Sequence, residues 1–463
     1  MDVWFSKVLT TYWMFRGRRY YRHKSYSDAL KYFERIINGG ATSSVTLAHA
    51  GFCLAKLKRY DEAIDVYQRA LQGNVEHGQV HAELAEVYSD TGRYQEAYDS
   101  LHRAFRAKPK LQQSSFYVHN LGNICLKLER WEEARDSYSK ALERKSDEEL
   151  WIGLGISLKN LNRSDDALDA FQKSTEIAPN KGKTWHWLGW MYAQLNRDCD
   201  SIVPLQRAIQ LEPKNASAHR EQGDCYFKLR NFREAAACYQ HYVELKADEP
   251  VGYYNLAMAH CELREFALAV KPLLKALEIG PKFGEVYADL GSVYGELKEF
   301  GKAVEAYQNA TRLEPDCVRY YCGLSAAYLS LEKQKEASEA AREALRLDSG
   351  SADGYLLLGC ALHEPGAFQK AIDAYNESLK LNPTQFEALA NLGAAYHELG
   401  QAEEAKNALL RAEALNSADP KLHHLLGKVY LELGQKREAL AEYEKLKSVD
   451  SSLAASLAEV LKT

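Results

Sequence analysis

Four features of the chain combine residue types that do chemistry elsewhere. His77 and His81 are four residues apart, a spacing that sets two imidazoles on one helical face, as zinc hydrolases require. His77 falls in a turn, however, and no glutamate follows it as a general base. HHLL at 423–426 puts adjacent histidines on different sides of a helix. GLG at 153–155 lacks the third glycine and the preceding strand of a phosphate loop. Nine cysteines, an odd number with no CxxC pair, argue against a disulfide framework or a four-cysteine zinc site. They fit buried helix positions, such as Cys125, in a reducing compartment. The expectation is therefore no catalytic residue, no metal, no cofactor and no enzyme.

A different kind of candidate is KTWHWLGWMYAQL (183–195), with Trp185, Trp187 and Trp190 close together. On a helix, Trp187 and Trp190 point about 200° and 140° away from Trp185. One ring faces a core, and two face elsewhere.

Composition limits what the surrounding elements can be. At 463 residues the chain exceeds one ordinary hydrophobic core. With 46% hydrophobic and 27% charged residues it is built to fold. A net charge of −5 gives no field for nucleic acid. The charge is uneven: residues 1–60 hold 11 Lys+Arg against 3 Asp+Glu, and residues 284–463 hold 19 against 28. The first residues, MDVWFSKVLTTYWMFRGRR, lack the layout of a signal peptide, and their apolar run is too short to span a bilayer. A cytoplasmic location is expected.

An internal period sets the architecture. NLGAAYHELGQAEEAKNALLRAEAL (391–415) aligns with DLGSVYGELKEFGKAVEAYQNATRL (289–313), and Gly291 and Gly393 lie three periods of 34 apart. With this glycine as position 8, units begin at 182, 216, 250, 284, 318, 352, 386 and 420, and upstream near 10, 44, 78, 115 and 148. Position 8 is Gly, Ala or Ser in every unit, and position 20 is Ala in all but one, where it is Ser201. Positions 4, 7, 8 and 11 share one helical face, as do 20, 24 and 27 on a second helix. Pro109, Pro179, Pro213, Pro281, Pro315 and Pro383 recur at position 32, where they end the second helix.

Trp185, Leu188, Gly189 and Tyr192, with Ala303, Tyr307, Ala310 and Pro315, give a pattern that resembles the tetratricopeptide repeat (TPR). The resemblance covers residues 10–451. It implies an all-α, right-handed superhelical solenoid of about 13 helical hairpins. Residues 1–9 would start or cap the first helix, and 452–463 would form a C-terminal capping helix. Neighbouring repeats must stack to bury apolar faces that no hairpin can bury alone.

The resemblance also implies a function: a non-enzymatic scaffold or adaptor that holds a partner polypeptide in a concave groove lined by positions 2, 5, 6, 9, 12 and 13 of each first helix. There the central repeats offer His119, Asn120, Asn123, Lys127, Lys159, Asn160, Lys183, His186, Trp187, Trp190, Arg220 and Lys228, with Glu221 and Asp224 as acidic exceptions. Later repeats offer Glu262, Glu285, Asp289, Glu296, Glu364, Glu398 and Glu432, relieved by Arg319, Lys421 and Lys428. The expected partner of the basic-aromatic stretch is an extended peptide or helix with acidic and apolar anchors. Trp185 is expected in the core, while replacing Trp187 and Trp190 should leave stability nearly unchanged.

Two specialised grooves of the family do not fit. A carboxylate clamp would fall on Arg220, Asp224, Asn255, Glu285 and Asp289, whose last pair has the wrong sign. An asparagine ladder at position 6 retains only Asn120, Asn255 and Asn391. No enzyme domain is expected after the last repeat.

Val3, Trp4, Phe5, Val8, Leu9, Tyr12, Trp13 and Phe15 precede RGRRYYRHK (16–24). This basic-aromatic segment could touch an anionic membrane or a larger enzyme or secretion complex, but capping of the solenoid is favoured. Self-association through oppositely charged ends is a further option.

Overall fold

The computed structural model describes residues 2–40, 43–73 and 76–462, with side chains from residue 7 to 461 within those ranges. Among them every regular element is helical. The chain divides into two units, Met1–Leu229 and Arg230–Thr463. Within each, helices join as hairpins stacked in chain order.

The first helices of successive repeats run Ser44–Lys56, Gly78–Asp90, Ser115–Lys127, Glu148–Asn160, Gly182–Gln194 and Ala216–Lys228 in the first unit. In the second they run Pro250–Glu262, Gly284–Glu296, Val318–Ser330, Ala352–Ala361, Phe386–Glu398 and Pro420–Glu432. We call these the A helices and their partners the B helices.

Two close approaches hold each hairpin together. Position 20 of the B helix is 0% exposed throughout, from Ala29 to Ala439 and including Ser201. Position 8 lies beneath a large side chain from position 24. A Cβ on Gly291 would meet the Tyr307 ring at 2.8 Å, and one on Gly51 or Gly155 would meet Tyr67 or Phe171 at 2.8 Å. Where the residue is Ser325, its hydroxyl donates to the Ala337 carbonyl at 2.9 Å and stays fully buried.

The turn between A and B helices repeats a feature that the residue types hide. Position 15 has positive φ in every hairpin: Gly92, Gly366, Gly400 and Gly434, but also Lys24, Lys58, Glu129, Asn162, Asn196, Arg230, Arg264, Lys298 and Glu332. In the second hairpin, Arg59 N–H donates to the Leu54 carbonyl and Lys58 N–H to the Ala55 carbonyl, the pairing of a left-handed helix cap. Only glycine adopts this conformation without steric cost.

The recurrent prolines are not necessary for ending the B helices. Asp198–Leu211 and Phe300–Leu313 stop two residues before Pro213 and Pro315. Gln334–Leu347 stops in the same register with no proline there. The insertion after Pro109 is a 3-10 turn, Pro109–Gln113, that buries Leu111.

The termini depart from simple repeats. Residues 2–9 are not a separate element, since one helix, Asp2–Arg22, runs on through them. Its Trp13, Tyr20 and Tyr21 pack against the core, while Val8, Tyr12 and Phe15 are exposed. The side chains of Val3, Trp4 and Phe5 lie outside the described residues. At the other end, helix Ser451–Lys462 places Leu457, 0% exposed, over Gly427. In that last repeat Leu457 does the work of a position-24 side chain.

Gly291→Leu should lower stability by ~1–3 kcal/mol through overpacking against Tyr307, read as a fall in the thermal midpoint. Lys298→Gly should raise the midpoint, because relief of roughly 1 kcal/mol of left-handed strain outweighs glycine's greater freedom in the unfolded chain. A fall for Lys298→Gly would contradict the strain.

Candidate functional site

The three tryptophans lie on one A helix in three different settings. Trp185 is half-buried between two core clusters, its indole N–H donating to the Pro179 carbonyl at 2.8 Å. Trp187 stacks on Phe171 of the preceding B helix, with centroids 5.8 Å apart and planes 5° from parallel. Trp190 meets Trp187 edge-on at 5.3 Å, and Lys159 Nζ lies 5.5 Å from the Trp190 ring centre.

Trp187 therefore does more than face a partner. Phe171 is a position-24 ring, and position 6 of the next repeat covers it. Elsewhere the same place is taken by Gly153 against Tyr138 and by Gly323 against Tyr307. Glu83 takes it too, accepting from Tyr67 OH at 3.2 Å. The expectation that Trp187 and Trp190 are dispensable for stability is corrected: both rings pack against the same core cluster, and stacked rings gain energy beyond their burial.

The charged residues of the central repeats are largely paired. Lys183 lies 3.7 Å from Glu149, and Lys228 lies 3.4 Å from Asp198, itself mostly buried. Arg220 reaches Asp224 at 3.3 Å and Glu221 at 4.0 Å. His186 Nε2 sits 2.9 Å from the Glu221 carboxylate. Asn160 donates to the Ile156 carbonyl at 2.9 Å, so its amide serves its own helix. Tyr138 OH donates to Asn123 Oδ1 at 2.6 Å, and Asn123 Nδ2 lies 3.3 Å from His119 Nε2. Burial lowers the His119 pKa, which favours the neutral ring. Lys127 is exposed and Asn120 half-buried. The stretch expected to be basic is thus locally offset by carboxylates, some at groove positions themselves (Glu149, Glu221, Asp224) and one, Asp198, on a B helix.

In the second unit, Asp289 is buried enough to raise its carboxyl pKa, against a 2.9 Å hydrogen bond from Tyr254 OH and the charge of Arg319. Arg319 stands 3.8 Å from both Asp289 and Glu285. His397 lies 3.0 Å from Glu432. Glu262, Glu296, Glu364, Glu398, Lys421 and Lys428 line the same series of A helices.

One cluster with metal-ligating chemistry escaped sequence reasoning. Glu413, His423 and Glu442 converge within 4.8 Å, from two B helices and the A helix between them. His423 Nδ1 lies 2.6 Å from Glu442, and its Nε2 lies 2.9 Å from the Ser417 carbonyl. Lys445 Nζ already holds both carboxylates, at 2.7 Å from Glu413 and 2.8 Å from Glu442. An internal ammonium supplies the countercharge a cation would bring, so the group is a structural ion network. His77 caps its helix by accepting from Val80 N–H. Gly153 and Gly155 seat rings. Burial pushes the Cys53 and Cys125 thiols up to about 12, which suits packing, not nucleophilic attack.

The A-helix face also has cavities. One of about 270 Å³ opens between Gly78–Asp90 and Ser115–Lys127. Another of about 420 Å³ is lined by Asp289, Arg319, Cys322 and Asp353. In the first, burial pushes the Glu86 carboxyl up to about 7, countered by Lys56 and reinforced by Glu83 and Asp90.

Models described as "Tetratricopeptide repeat" match residues 54–117, 115–147, 148–181, 205–250, 226–282, 288–352 and 420–452. One described as "TPR repeat" matches 359–400 and 395–434. No curated protein matches the chain. Among solved structures, one from the APC/C hetero-tetramer Cut9-Hcn1 is 14% identical, covering 98% of this chain and 96% of that one, with a TM-score of 0.45. MamA is 22% identical over 37% of this chain and 93% of its own, with a TM-score of 0.36. Yeast Tom70 is 18% identical over 87% of this chain and 97% of its own, with a TM-score of 0.34.

Trp187→Ala should lower stability by ~2 kcal/mol, since it removes a half-buried ring and its stacking; an unchanged denaturation midpoint would contradict the packing role. Glu86→Gln should act in a pH-dependent way. The folded chain holds the Glu86 proton from the ordinary 4.5 up to about 7, so the native carboxyl loses stability as pH rises through that window. The substitution should raise the melting temperature at pH 8, and the gain should vanish near pH 4.5.

Proposed function

Because the chain belongs to the tetratricopeptide repeat family, we propose that it is a non-catalytic scaffold holding a partner polypeptide along its A-helix face. The observation that carries this reading is Trp190. Unlike Trp187, it covers no position-24 ring of the preceding repeat, and it stays half-buried with Lys159 against it. An amphipathic ring with a cation beside it is a typical interface anchor.

The face supports a partner with mixed polar and apolar anchors, not a strongly acidic one. Lys183, Arg220 and Lys228 already have carboxylates, and its cavities present Glu86, Asp289 and Asp353. The nine free cysteines support a reducing compartment.

A second reading, docking of the first helix on a membrane or larger complex, is favoured by exposed Val8, Tyr12 and Phe15 beside Arg16 and Arg19. No helix among the described residues is long and apolar enough to cross a membrane.

Lys159→Ala with Trp190→Ala should abolish capture of partner proteins from native lysate, with circular dichroism at 20 °C unchanged. Capture that survives the pair would place binding off this face. Flotation with anionic liposomes that depends on Phe15 and Tyr12 would favour the second reading instead.

A further inference from the structure

The cavity between Gly78–Asp90 and Ser115–Lys127 contains a carboxylate that the fold does not use. Ala82 and Ala85 leave room on one wall, and Leu101 lines the base. Phe116, 54% exposed, and Tyr117 stand on the other wall. The Tyr117 hydroxyl is fixed by Gln79, which donates to it at 2.9 Å. Ser89, Asp90, Asn120 and Glu86 supply polar atoms.

Glu86 stands apart from its neighbours. Glu83 accepts from Tyr67 OH at 3.2 Å and from Gln79 at 3.1 Å, and Asn123 is engaged by Tyr138. Glu86 and Asn120 make no hydrogen bond or ion pair among the described residues. The cation whose charge reaches Glu86, Lys56, lies 5.0 Å from the centre of the Phe52 ring instead.

Nor does repeat packing call for an acid here. Glu86 occupies position 9, which other repeats fill with residues as different as Ile156, Met258, Ala326, Asn123, Asp224 and Lys428, so packing fixes no residue type there. A half-buried carboxylate without a partner costs free energy, and an apolar residue there would avoid the cost. The carboxylate, the free Asn120 amide and the exposed Phe116 ring together face one open volume.

We propose that this cavity is a subsite for a cationic side chain of the partner polypeptide, arginine in preference to lysine. A guanidinium carries five donors in a plane. It can take Glu86 in a forked pair, reach the Asn120 and Ser89 oxygens, and lay its face on Phe116 or Tyr117. A lysine ammonium matches the charge but neither the plane nor the number of acceptors. Asp90 at the rim adds attraction without needing contact. The burial that raises the Glu86 pKa is consistent with an acid awaiting a counter-ion. The subsite rests on the reading that partners lie along the A-helix face, and it gives that face a basic specificity where the sequence suggested an acidic partner.

The test is selection of random dodecapeptides displayed on phage against the full chain, followed by fluorescence anisotropy of the winners. The probe set is those peptides with their arginine retained, or replaced by lysine or norleucine. The subsite predicts arginine at one fixed place in the winners. It also predicts at least ~10-fold weaker binding to Glu86→Gln, the size expected when one member of a buried charge pair is removed. Arginine replaced by norleucine should lose the same factor on the native chain and nothing further on Glu86→Gln.

Glu86→Gln keeps the shape of the side chain, and its melting temperature at pH 8 checks that it folds. Winners that depend on Lys159 and Trp190 but carry no fixed arginine, or bind Glu86→Gln equally, overturn the subsite and leave the A-helix face standing. If no winner responds to any substitution on the A-helix face, both readings fail.

Discussion

A large side chain from one helix has to find a gap in the helix that faces it, and this chain makes the gap with a missing side chain. Tyr307 over Gly291 and Tyr67 over Gly51 approach so closely that even a Cβ would intrude. Alanine at position 20, fully buried in nearly every hairpin, permits the matching approach from the other side. Once a hairpin closes this way, its position-24 ring still has an uncovered side, and only the next repeat can cover it. Tyr138 does so against Gly153, Tyr307 against Gly323, and Phe171 against Trp187. The same contact that closes a hairpin therefore joins it to its neighbour, which is why stability in such arrays comes from nearest-neighbour terms.

That layer sorts the positions of the A-helix face by task. Position 6 is a packing position first, whatever residue it holds. Position 9 is freer, and there the chain carries Trp190 beside Lys159 and the unpartnered Glu86. The charges on this face are not a simple gradient. Carboxylates of Glu149 and Asp198 reach between neighbouring helices to Lys183 and Lys228, while Glu221 lies against His186 of the preceding A helix and Arg220 of its own. What remains for a partner is a set of discrete pockets and rings.

The fold was legible in the residues because close packing constrains residue type: position 8 holds nothing larger than Ser, so the period survives in the letters. The left-handed turns were not legible, since Lys, Glu, Arg and Asn at position 15 take a backbone conformation their side chains do not advertise. The double role of Trp187 was missed because helical angle alone shows which way a ring points, not what the preceding repeat places beneath it. The Glu413–His423–Glu442–Lys445 network was missed because, apart from the i,i+3 pair Glu442 and Lys445, its members come from different helices. The pairing of the basic residues was hidden for the same reason, as Lys183 and Lys228 meet carboxylates of other helices, Glu149 and Asp198. Glu86 falls on a groove position, but as one acid among many it is distinguished only by what does not touch it.

The contact between Phe171 and Trp187 is the most direct place to test whether the ring layer links repeats. A double-mutant cycle with Phe171→Leu and Trp187→Ala, measured by chemical denaturation of the full chain, should give a coupling of about 1 kcal/mol, as stacked aromatic pairs do. Additive effects, with no coupling beyond measurement error, would mean that the rings only lie near each other, and the account of how one repeat holds the next would be wrong.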